Sequence, residues 1–191
     1  MRTRPRLVII GGPNGAGKTT FAEITGPHWS VRYLSADLTA QERGLGTTGA
    51  DAFRAGRLLT SSLRAALSQH ESLLFESTLS GRGVGHLIRR ARASGYRVLV
   101  ACVFVDSAES CIMRIRSRAL RGGHVVPDDD VRRRFKRSLM NFWQRYRFDA
   151  DAWHLEYNGG SDPARVAFGN GPRAVVLDSR AFGRFLELVE A

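Results

Sequence analysis

Apolar and polar positions form blocks along the chain that predict alternating strands and helices. Short apolar runs predict buried strands at 7–10, 73–75 and 98–105, and the mixed stretch 31–35 predicts a further short strand. Between them lie segments with helical spacing of apolar residues, which predict helices at about 18–24, 52–67 and 86–93. A repeat of strand, crossover helix and strand predicts a parallel sheet, because the right-handed crossover returns the chain in the same direction. We therefore expect an α/β fold of three layers, with helices on both faces of the sheet.

The alternation continues to the end of the chain. A helix is expected from about Ala108, and a second helix after the turn at 122–127 is expected to bury Val131, Phe135, Leu139, Phe142 and Tyr146. Further patterns predict a fifth strand at 154–158, a hairpin at 164–168 and 174–177, and a closing helix at 182–189. We therefore predict one domain over residues 1–191, with a mainly parallel five-stranded sheet followed by a hairpin and a helix.

Directly after the first predicted strand, residues 12–19 read G-x-x-x-x-G-K-T, the phosphate-binding P-loop. Glycines let backbone N–H groups converge on phosphate oxygens, and the helix that follows directs its positive end to the same place. Lys18 is expected to reach the β- and γ-phosphates, and the Thr19 hydroxyl to bind Mg²⁺. The nucleotide-binding residues expected from the motif are Gly12, Pro13, Asn14, Gly15, Ala16, Gly17, Lys18, Thr19 and Thr20. A glycine turn without a ligand is the alternative, which the complete motif after a buried strand disfavours.

Composition and charge limit the class of protein further. The chain has 191 residues, of which 43% are hydrophobic, and a formal net charge of +11. No apolar run approaches the length of a membrane span, and the basic N-terminus lacks the apolar stretch of a signal peptide, so we expect a cytoplasmic protein. Cys102 and Cys111 lack metal-site spacing and are expected to be buried, reduced thiols. The positive charge suits nucleic acid, an acidic partner or a polyanionic nucleotide, and its sign does not choose among them.

Three acids follow predicted strands, at the sheet edge where ligands bind in open α/β sheets. Phosphoryl transfer to a hydroxyl needs a carboxylate that accepts the hydroxyl proton. Asp37 is the preferred base, and a helix N-cap or a solvated loop acid is the alternative for it. Glu76 is costly to bury unpaired and is expected to bind acceptor hydroxyls, with Thr78 beside it. Asp106 is interpreted as the cap of the next helix.

Arginines concentrate between residues 114 and 137. Arg114, Arg118 and Arg121 recur at i, i+4 and i+7 of the first predicted helix, where they repel each other unless an anion lies before them. The arginines off the apolar stripe of the second helix are Arg133, Arg134 and Arg137. We therefore predict a lid at about 108–146 that closes over ATP, neutralises the transition state and excludes water. An ordinary basic surface hairpin is the alternative, and His124 in its turn suits packing as well as phosphate contact.

Several of these stretches together resemble the zeta-toxin family of P-loop kinases, in its short bacterial branch. The resemblance covers most of residues 6–160 and is carried by residues 11–20, 34–37, 55–57, 75–81 and 114–139. Its most specific signal is G-G-H-x-V-P at 122–127, followed by R-R-R-F-x-R-S-L at 132–139. It implies a three-layer P-loop kinase fold and an ATP- or GTP-dependent kinase that uses Mg²⁺.

The resemblance also implies roles for single residues. Lys18 is expected to bind phosphate, and Asp37 to deprotonate the acceptor hydroxyl. Arg118 and Arg134 are expected to stabilise the moving phosphoryl group. Asn158 resembles a residue of the family's adenine pocket, and a simple turn asparagine explains it equally well. The residues expected to bind the acceptor are Glu76, Thr78, Arg82 and Arg114.

The acceptor is the least determined part of this interpretation. Long family members phosphorylate a sugar hydroxyl of UDP-N-acetylglucosamine, and an antitoxin blocks their nucleotide site, so a sugar-nucleotide substrate and a possible antitoxin partner are implied. This chain is shorter, and residues 38–41 lack the basic residue that usually follows the catalytic acid there. An antibiotic or metabolite kinase is therefore the alternative. A nucleic-acid-associated ATPase or polynucleotide kinase is the alternative of another class, disfavoured because no RNA-reading motif is present.

Overall fold

The computed structural model describes residues 4–26, 31–46, 49–120 and 125–190, which form one seven-stranded sheet with helices packed on it. The strands are β1 (Arg6–Gly11), β2 (Arg32–Leu34), β3 (Leu73–Ser77), β4 (Arg97–Phe104), β5 (Ala152–Tyr157), β6 (Ala164–Asn170) and β7 (Arg173–Val176). The helices are α1 (Lys18–Thr25), α2 (Ala36–Glu42), α3 (Gly49–Ser68), α4 (Gly83–Ala93), α5 (Ala108–Ala119), α6 (Asp128–Asn141), α7 (Arg147–Asp149) and α8 (Ser179–Glu190). A π-helical turn, Phe142–Tyr146, joins α6 to α7.

The strand order is β2-β3-β1-β4-β5-β6-β7. The first five strands in chain order run parallel, which confirms the predicted mainly parallel sheet. The predicted hairpin is present, but β6 pairs antiparallel with β5 and β7 with β6, so the sheet has seven strands rather than five. Val166 and Ala167 of β6 are buried, and their burial against the core explains why the hairpin extends the sheet.

The central position of β1 decides where the phosphate motif lies. Leu7, Val8, Ile9 and Ile10 are at most 2% exposed, because β3 and β4 flank the strand and both of its faces are covered. A uniformly apolar run is typical of such a strand. The loop that follows β1 therefore emerges at the middle of the sheet's carboxyl edge, where open α/β sheets bind ligands.

Helices cover both faces of the sheet, as predicted, but unequally. The larger core joins alternate strand residues to α3, α4, α5, α6 and α8 through side chains such as Leu63, Ile88, Ile115, Leu139 and Phe185. The smaller core consists mainly of strand residues packed against Phe21 and Ala22 of α1. Most of the hydrophobic stabilisation therefore lies on the face that carries α5 and α6.

The second helix of the predicted arginine-rich lid is fixed to the larger core. Its predicted apolar stripe is confirmed, since Val131, Phe135, Leu139, Phe142 and Tyr146 are all buried. Phe142 contacts Trp153 and Phe185 edge-on, with ring centroids 6.2 and 6.1 Å apart. Burial of such a side chain contributes about 1.5–3 kcal/mol. Any closing motion of this region must therefore come from the end of α6 that lies away from Phe142.

Two local details differ from expectation. Residues 36–42 form α2, which the periodicity did not predict, and the Ser35 side chain caps it by accepting from the Leu38 N–H at 3.1 Å. The interpretation of Asp106 as a helix cap is wrong, because Ser107 caps α5 by accepting from the Ser110 N–H at 3.1 Å. Asp106 instead accepts a hydrogen bond from the Tyr157 hydroxyl at 2.7 Å.

Cys102 and Cys111 are buried and free of disulfide, as predicted. Burial raises the pKa of both thiols, that of Cys111 to about 12, so neither is a ready thiolate. Among the described residues, no helix has the length and apolar character that a membrane crossing requires. Arg121 of the predicted arginine row and the turn residues Gly122, Gly123 and His124 lie outside the described residues.

His154 on β5 generates a prediction about acid stability. Burial and the nearby Arg165 cation lower the pKa of His154 from 6.5 to about 4. The unfolded chain therefore binds this proton at a higher pH than the folded protein does, and stability falls as the pH decreases from the unfolded pKa toward the folded one. Urea unfolding between about pH 7 and about pH 5 should show a smaller loss of stability in His154→Gln than in the parent. The exposed His86→Gln variant is the control, and equal losses in parent and His154→Gln would contradict the assignment.

Candidate active site at the phosphate loop

At each of its three glycines, the phosphate loop (residues 12–17) approaches another element so closely that a Cβ has no room. An added Cβ would lie 2.1 Å from the Val103 carbonyl oxygen at Gly12, 2.5 Å from the Cys111 carbonyl oxygen at Gly15, and 2.1 Å from the Asn158 Nδ2 at Gly17. The φ angles of these glycines, 138°, 83° and 93°, are also ones that L-residues rarely adopt. The loop is therefore held against β4, α5 and the end of β5 at once.

Asn158 is the side chain that secures the loop from the β5 side. Its Nδ2 donates to the Ala16 carbonyl oxygen at 2.8 Å, and the residue is 9% exposed. Its own carbonyl oxygen accepts from Arg114 at 2.7 Å, which connects the loop to α5. Asn158 also lines the cleft, and its contact with the nucleotide base stays a prediction. Its amide nitrogen is already hydrogen-bonded to the loop.

Lys18 begins α1 and lies half-buried at the mouth of the loop. Its Nζ donates to the Pro13 carbonyl oxygen at 2.9 Å. Burial lowers the pKa of Lys18, and the negative charges of Glu76 and Asp37 oppose that shift. A partly desolvated ammonium that is influenced by two carboxylate charges is suited to exchange its carbonyl partner for phosphate oxygens.

A cleft of about 580 Å³ opens above the loop and contains most of the predicted site residues. The predicted residues that line it are Asn14, Gly15, Gly17, Lys18, Thr19, Thr20, Asp37, Glu76, Thr78, Arg114, Arg118 and Asn158. Other lining residues are Glu23, Ser35, Ala36, Ser77 and Ile115. The volume is in the usual range for a small-molecule site, so a nucleotide fits it in size.

Glu76, the residue before the last in β3, accepts hydrogen bonds from two hydroxyl groups. Its Oε2 accepts from the Thr19 hydroxyl at 3.2 Å, and its Oε1 accepts from the Tyr33 hydroxyl. Burial raises the pKa of Glu76, while the Tyr33 hydrogen bond and the Lys18 charge act in the opposite direction. Two hydrogen bonds and a nearby cation therefore offset only part of the cost of burying this acid.

Asp37 lies in the first turn of α2, beside the cap Ser35. It is exposed and lines the cleft, and its charge acts on Lys18, so its carboxylate is open to a ligand. The cap of α2 is Ser35, which leaves Asp37 without the capping role that was its alternative.

The structure separates the predicted arginines into two groups. Arg114 and Arg118 of α5 line the cleft. Arg134 of α6 is paired with Asp130 at 2.9 Å and is not among the cleft residues. Arg82 is exposed at the start of α4 and does not line the cleft either. The roles predicted for Arg134 and Arg82 therefore require a rearrangement, whereas those of Arg114 and Arg118 do not.

In the part of the predicted lid that the structure describes, acids form ion pairs with four arginines. The ion pairs are Arg116–Asp128, Arg132–Glu109, Arg132–Asp129, Arg133–Asp130 and Arg134–Asp130. The three aspartates among these acids lie in the first turn of α6, where they also suit the positive end of the helix. The excess charge available to a ligand in this region is therefore smaller than the sequence suggested.

A strained loop at 77–81 presents hydroxyl groups beside the cleft. Leu79 has a φ of 57°, and its buried side chain occupies the space where Gly11 lacks a Cβ. The hydroxyls of Thr78 and Ser80 lie 2.8 Å apart, and the Leu79 carbonyl oxygen accepts from Asn141 at 2.9 Å. Strain of this kind, fixed by surrounding contacts, is common at functional sites.

Two site features escaped the sequence interpretation. Tyr33 was assigned only to a short strand, and no motif indicated that its hydroxyl would reach Glu76. Asn158 was considered for a base or a turn, not as a support of the loop. The Tyr33–Glu76 contact depends on the neighbouring positions of β2 and β3 in the sheet, and the Asn158 contact depends on the position of β5 relative to the loop. Neither arrangement can be predicted from local sequence.

The residues present fit a triphosphate with Mg²⁺. The glycine cradle leaves backbone N–H groups unobstructed, and the Thr19 hydroxyl and Glu76 carboxylate are hard oxygen donors of the kind that Mg²⁺ prefers. Across the described residues, no group of three or more His, Cys, Asp or Glu side chains could hold a metal ion by itself. Mg²⁺ is accordingly expected to arrive with phosphate and to keep several waters.

A phosphate loop at the centre of a mainly parallel sheet, with carboxylates from the neighbouring strand and helix beside it, defines the P-loop kinase fold. The chain belongs to the zeta toxin family, whose model matches residues 47–156, more than half of its length. An uncharacterized protein of Haemophilus influenzae is 28% identical over 130 residues, 68% of this chain and 92% of that one. Because the family match begins after the phosphate loop, the loop motif is a separate indication of nucleotide binding.

Solved structures agree with this fold. A structure from the PezAT chromosomal toxin-antitoxin system of Streptococcus pneumoniae has a TM-score of 0.65 and 17% identity and covers 99% of this chain and 86% of that chain. The AvrRxo1-ORF1:-ORF2 complex with ATP has a TM-score of 0.72 at 15% identity, and the match covers 95% of this chain and 63% of that chain. A putative kinase from Chloroflexus aurantiacus has a TM-score of 0.58 at 21% identity, covering 71% and 80%. At these identities the similarity shows the fold alone.

The close approach at Gly17 generates a prediction about binding. Gly17→Ala would place a methyl group 2.1 Å from the Asn158 Nδ2 at a φ of 93°, so we expect the loop to shift and the affinity for a fluorescent ATP analogue to fall at least about tenfold. Gly56→Ala on α3 is the matched control, because its Cβ meets open space. Unchanged nucleotide affinity in a folded Gly17→Ala variant would show that the loop does not bind the phosphates.

Proposed function

We propose that the protein is a nucleotide-dependent kinase that transfers the γ-phosphoryl group of ATP or GTP to a hydroxyl. The observation that carries the proposal is that Lys18, directly after the phosphate loop, lines the same cleft as Asp37 and Glu76. The negative charges of both carboxylates act on its ammonium group. Such a cleft holds what transfer requires: a phosphate cradle with a cation on one side, and a carboxylate open to an acceptor on the other.

The roles follow from these positions. The loop N–H groups and Lys18 hold the phosphates, and Thr19 supplies a ligand for Mg²⁺, which neutralises phosphate charge when bound. Asp37, exposed in the cleft, accepts the proton of the acceptor hydroxyl as the hydroxyl attacks. A hydroxyl near both Asp37 and Thr78 would lie within the same cleft.

Arg118 is the stronger candidate for neutralising charge on the moving phosphoryl group. It lines the cleft in the conformation described, and its positive charge contributes to the lowered pKa of Lys18. Arg134 is bound to Asp130, so it would have to exchange this carboxylate for a phosphate before it could act. We therefore assign the first contact to Arg118 and a contact after lid closure to Arg134.

For the acceptor, we propose a sugar nucleotide similar to UDP-N-acetylglucosamine. Arg114 and Arg118 both line the cleft, and two guanidinium groups there suit a ligand that brings phosphates of its own. A small uncharged alcohol, as in an antibiotic or metabolite kinase, is the second candidate. The hydroxyl-rich 77–81 loop, with Thr78 and Ser80 paired at 2.8 Å, would serve either acceptor.

A protein partner is also part of the proposal. The solved structures that share this fold include one from a toxin-antitoxin system and a two-protein complex with ATP. Family membership makes an antitoxin the partner to test first. An antitoxin that blocks the cleft would compete with nucleotide, so its effect on nucleotide affinity distinguishes it from a partner bound elsewhere.

A mass-spectrometric kinase screen tests the proposed function. The parent should phosphorylate one class among UDP-sugars, free aminosugars and hydroxylated antibiotics in the presence of ATP or GTP and Mg²⁺. Asp37→Asn should retain nucleotide affinity but lose about 10²–10⁴-fold in transfer rate, the usual contribution of a general base. Lys18→Ala should lose nucleotide binding as well, because the phosphates lose their cation.

The controls separate the alternative classes. Salt-sensitive, tight RNA binding together with phosphorylation of 5′-hydroxyl ends would identify a polynucleotide kinase instead. Parent-like transfer by Asp37→Asn would remove Asp37 from the role of base. If the parent binds nucleotide but modifies no acceptor in the panel, while Asp37→Asn is indistinguishable from it in every assay, a nucleotide-dependent interaction module replaces the kinase.

A further inference from the structure

Tyr33 is a residue for which neither the motif nor the proposed mechanism gives a role. It is the middle residue of β2, and its half-buried ring packs against the smaller core beside α1. Its hydroxyl donates to Glu76 Oε1. The other oxygen of the same carboxylate, Oε2, accepts from Thr19 at 3.2 Å. A chain of hydrogen bonds therefore runs from the edge of the sheet to the first turn of α1.

The chain of hydrogen bonds determines how the Thr19 hydroxyl is oriented. A hydroxyl has one proton and two acceptor lone pairs. When the proton is directed to Glu76, the lone pairs face away from the carboxylate, and Thr19 lines the cleft on that side. Without a fixed acceptor the hydroxyl could turn its proton toward an incoming cation, which would oppose binding.

Glu76 itself needs support to provide that acceptor. It lies between Lys18, Thr19 and Tyr33, and Lys18 alone would attract the carboxylate toward the loop. The Tyr33 hydroxyl binds the oxygen that Thr19 does not use, so it resists this displacement. Outer groups that orient a metal ligand in this way change metal affinity by about 10–100-fold when they are removed.

We propose that Tyr33 is a positioning residue for Mg²⁺ binding: its hydroxyl holds Glu76 in the orientation that directs the Thr19 lone pairs into the cleft. The proposal rests on the proposed function, since it supposes that Mg²⁺ binds with nucleotide phosphates at Thr19. It also gives Glu76 a role on the metal side of the cleft, in place of the acceptor contact predicted from sequence.

Tyr33→Phe isolates the hydroxyl, because the ring and its packing remain. We expect the affinity for a fluorescent ATP analogue in EDTA to be unchanged, while the Mg²⁺ concentration needed for half of the Mg²⁺-dependent gain in affinity rises about 10–100-fold. Tyr157→Phe is the matched control. It also removes a hydroxyl that donates to a carboxylate, Asp106 at 2.7 Å, but neither residue lines the cleft.

The outcomes separate the inference from the proposed function. An unchanged Mg²⁺ midpoint in Tyr33→Phe overturns the inference. An equal loss of nucleotide affinity with and without Mg²⁺ also overturns it, because Tyr33 would then support the phosphate loop itself. If Tyr33→Phe does not fold, Glu76→Gln provides the test, and a change confined to the KM of the acceptor overturns the inference in favour of an acceptor contact. If the parent gains no affinity from Mg²⁺, the proposed function fails first, independently of Tyr33.

Discussion

The absence of three Cβ atoms in the phosphate loop is the constraint on which the rest of the site depends. Gly12, Gly15 and Gly17 allow the loop to approach β4, α5 and Asn158 within distances that any side chain would prohibit. These three contacts come from parts of the chain more than 80 residues beyond the loop along the sequence. The loop geometry is therefore a consequence of the finished sheet. Asp37 follows β2, Glu76 lies in β3 and Arg118 lies in the helix after β4, and the strand order β2-β3-β1-β4 brings all three residues to the same cleft. Binding and chemistry share this one packing arrangement.

Electrostatics then separates the arginines that face the cleft from those that support the lid. The acids at the start of α6 and Glu109 form ion pairs with four arginines of α5 and α6 that lie outside the cleft, namely Arg116, Arg132, Arg133 and Arg134. These pairs are largely exposed, and each contributes about 0–1 kcal/mol. Their effect is mainly to reduce repulsion within the hairpin, whereas Arg114 and Arg118, like Lys18, line the cleft. A lid held by weak exposed pairs at one end and by Phe142 in the core at the other can change its pairing without loss of the core.

How much of this could be predicted depended on whether a contact was local in sequence. The strands, the phosphate motif and the buried stripe of α6 have periodic or motif patterns, and the structure confirms them. The addition of the hairpin to the sheet depends on pairing with β5, and the short α2 depends on one cap, Ser35, within seven helical residues. The hydroxyl of Tyr33 meets Glu76, 43 residues away, only because β2 and β3 are neighbours. Contacts of this kind are set by strand order, which a single sequence specifies only through its whole fold.

The strained turn after β3 shows how the fold and the site are adjusted to each other. Leu79 has a φ of 57°, a conformation that costs about 1–2 kcal/mol for a residue with a Cβ. Its side chain is fully buried against Gly11, so the burial of a leucine, worth about 1.5–3 kcal/mol, offsets that cost. Glycine at position 79 would relieve the strain but leave a cavity beneath the phosphate loop and free the turn that carries Thr78 and Ser80. The leucine therefore fixes the hydroxyl groups beside the cleft and supports the strand that carries the loop, so the same side chain connects the turn after β3 to the phosphate loop.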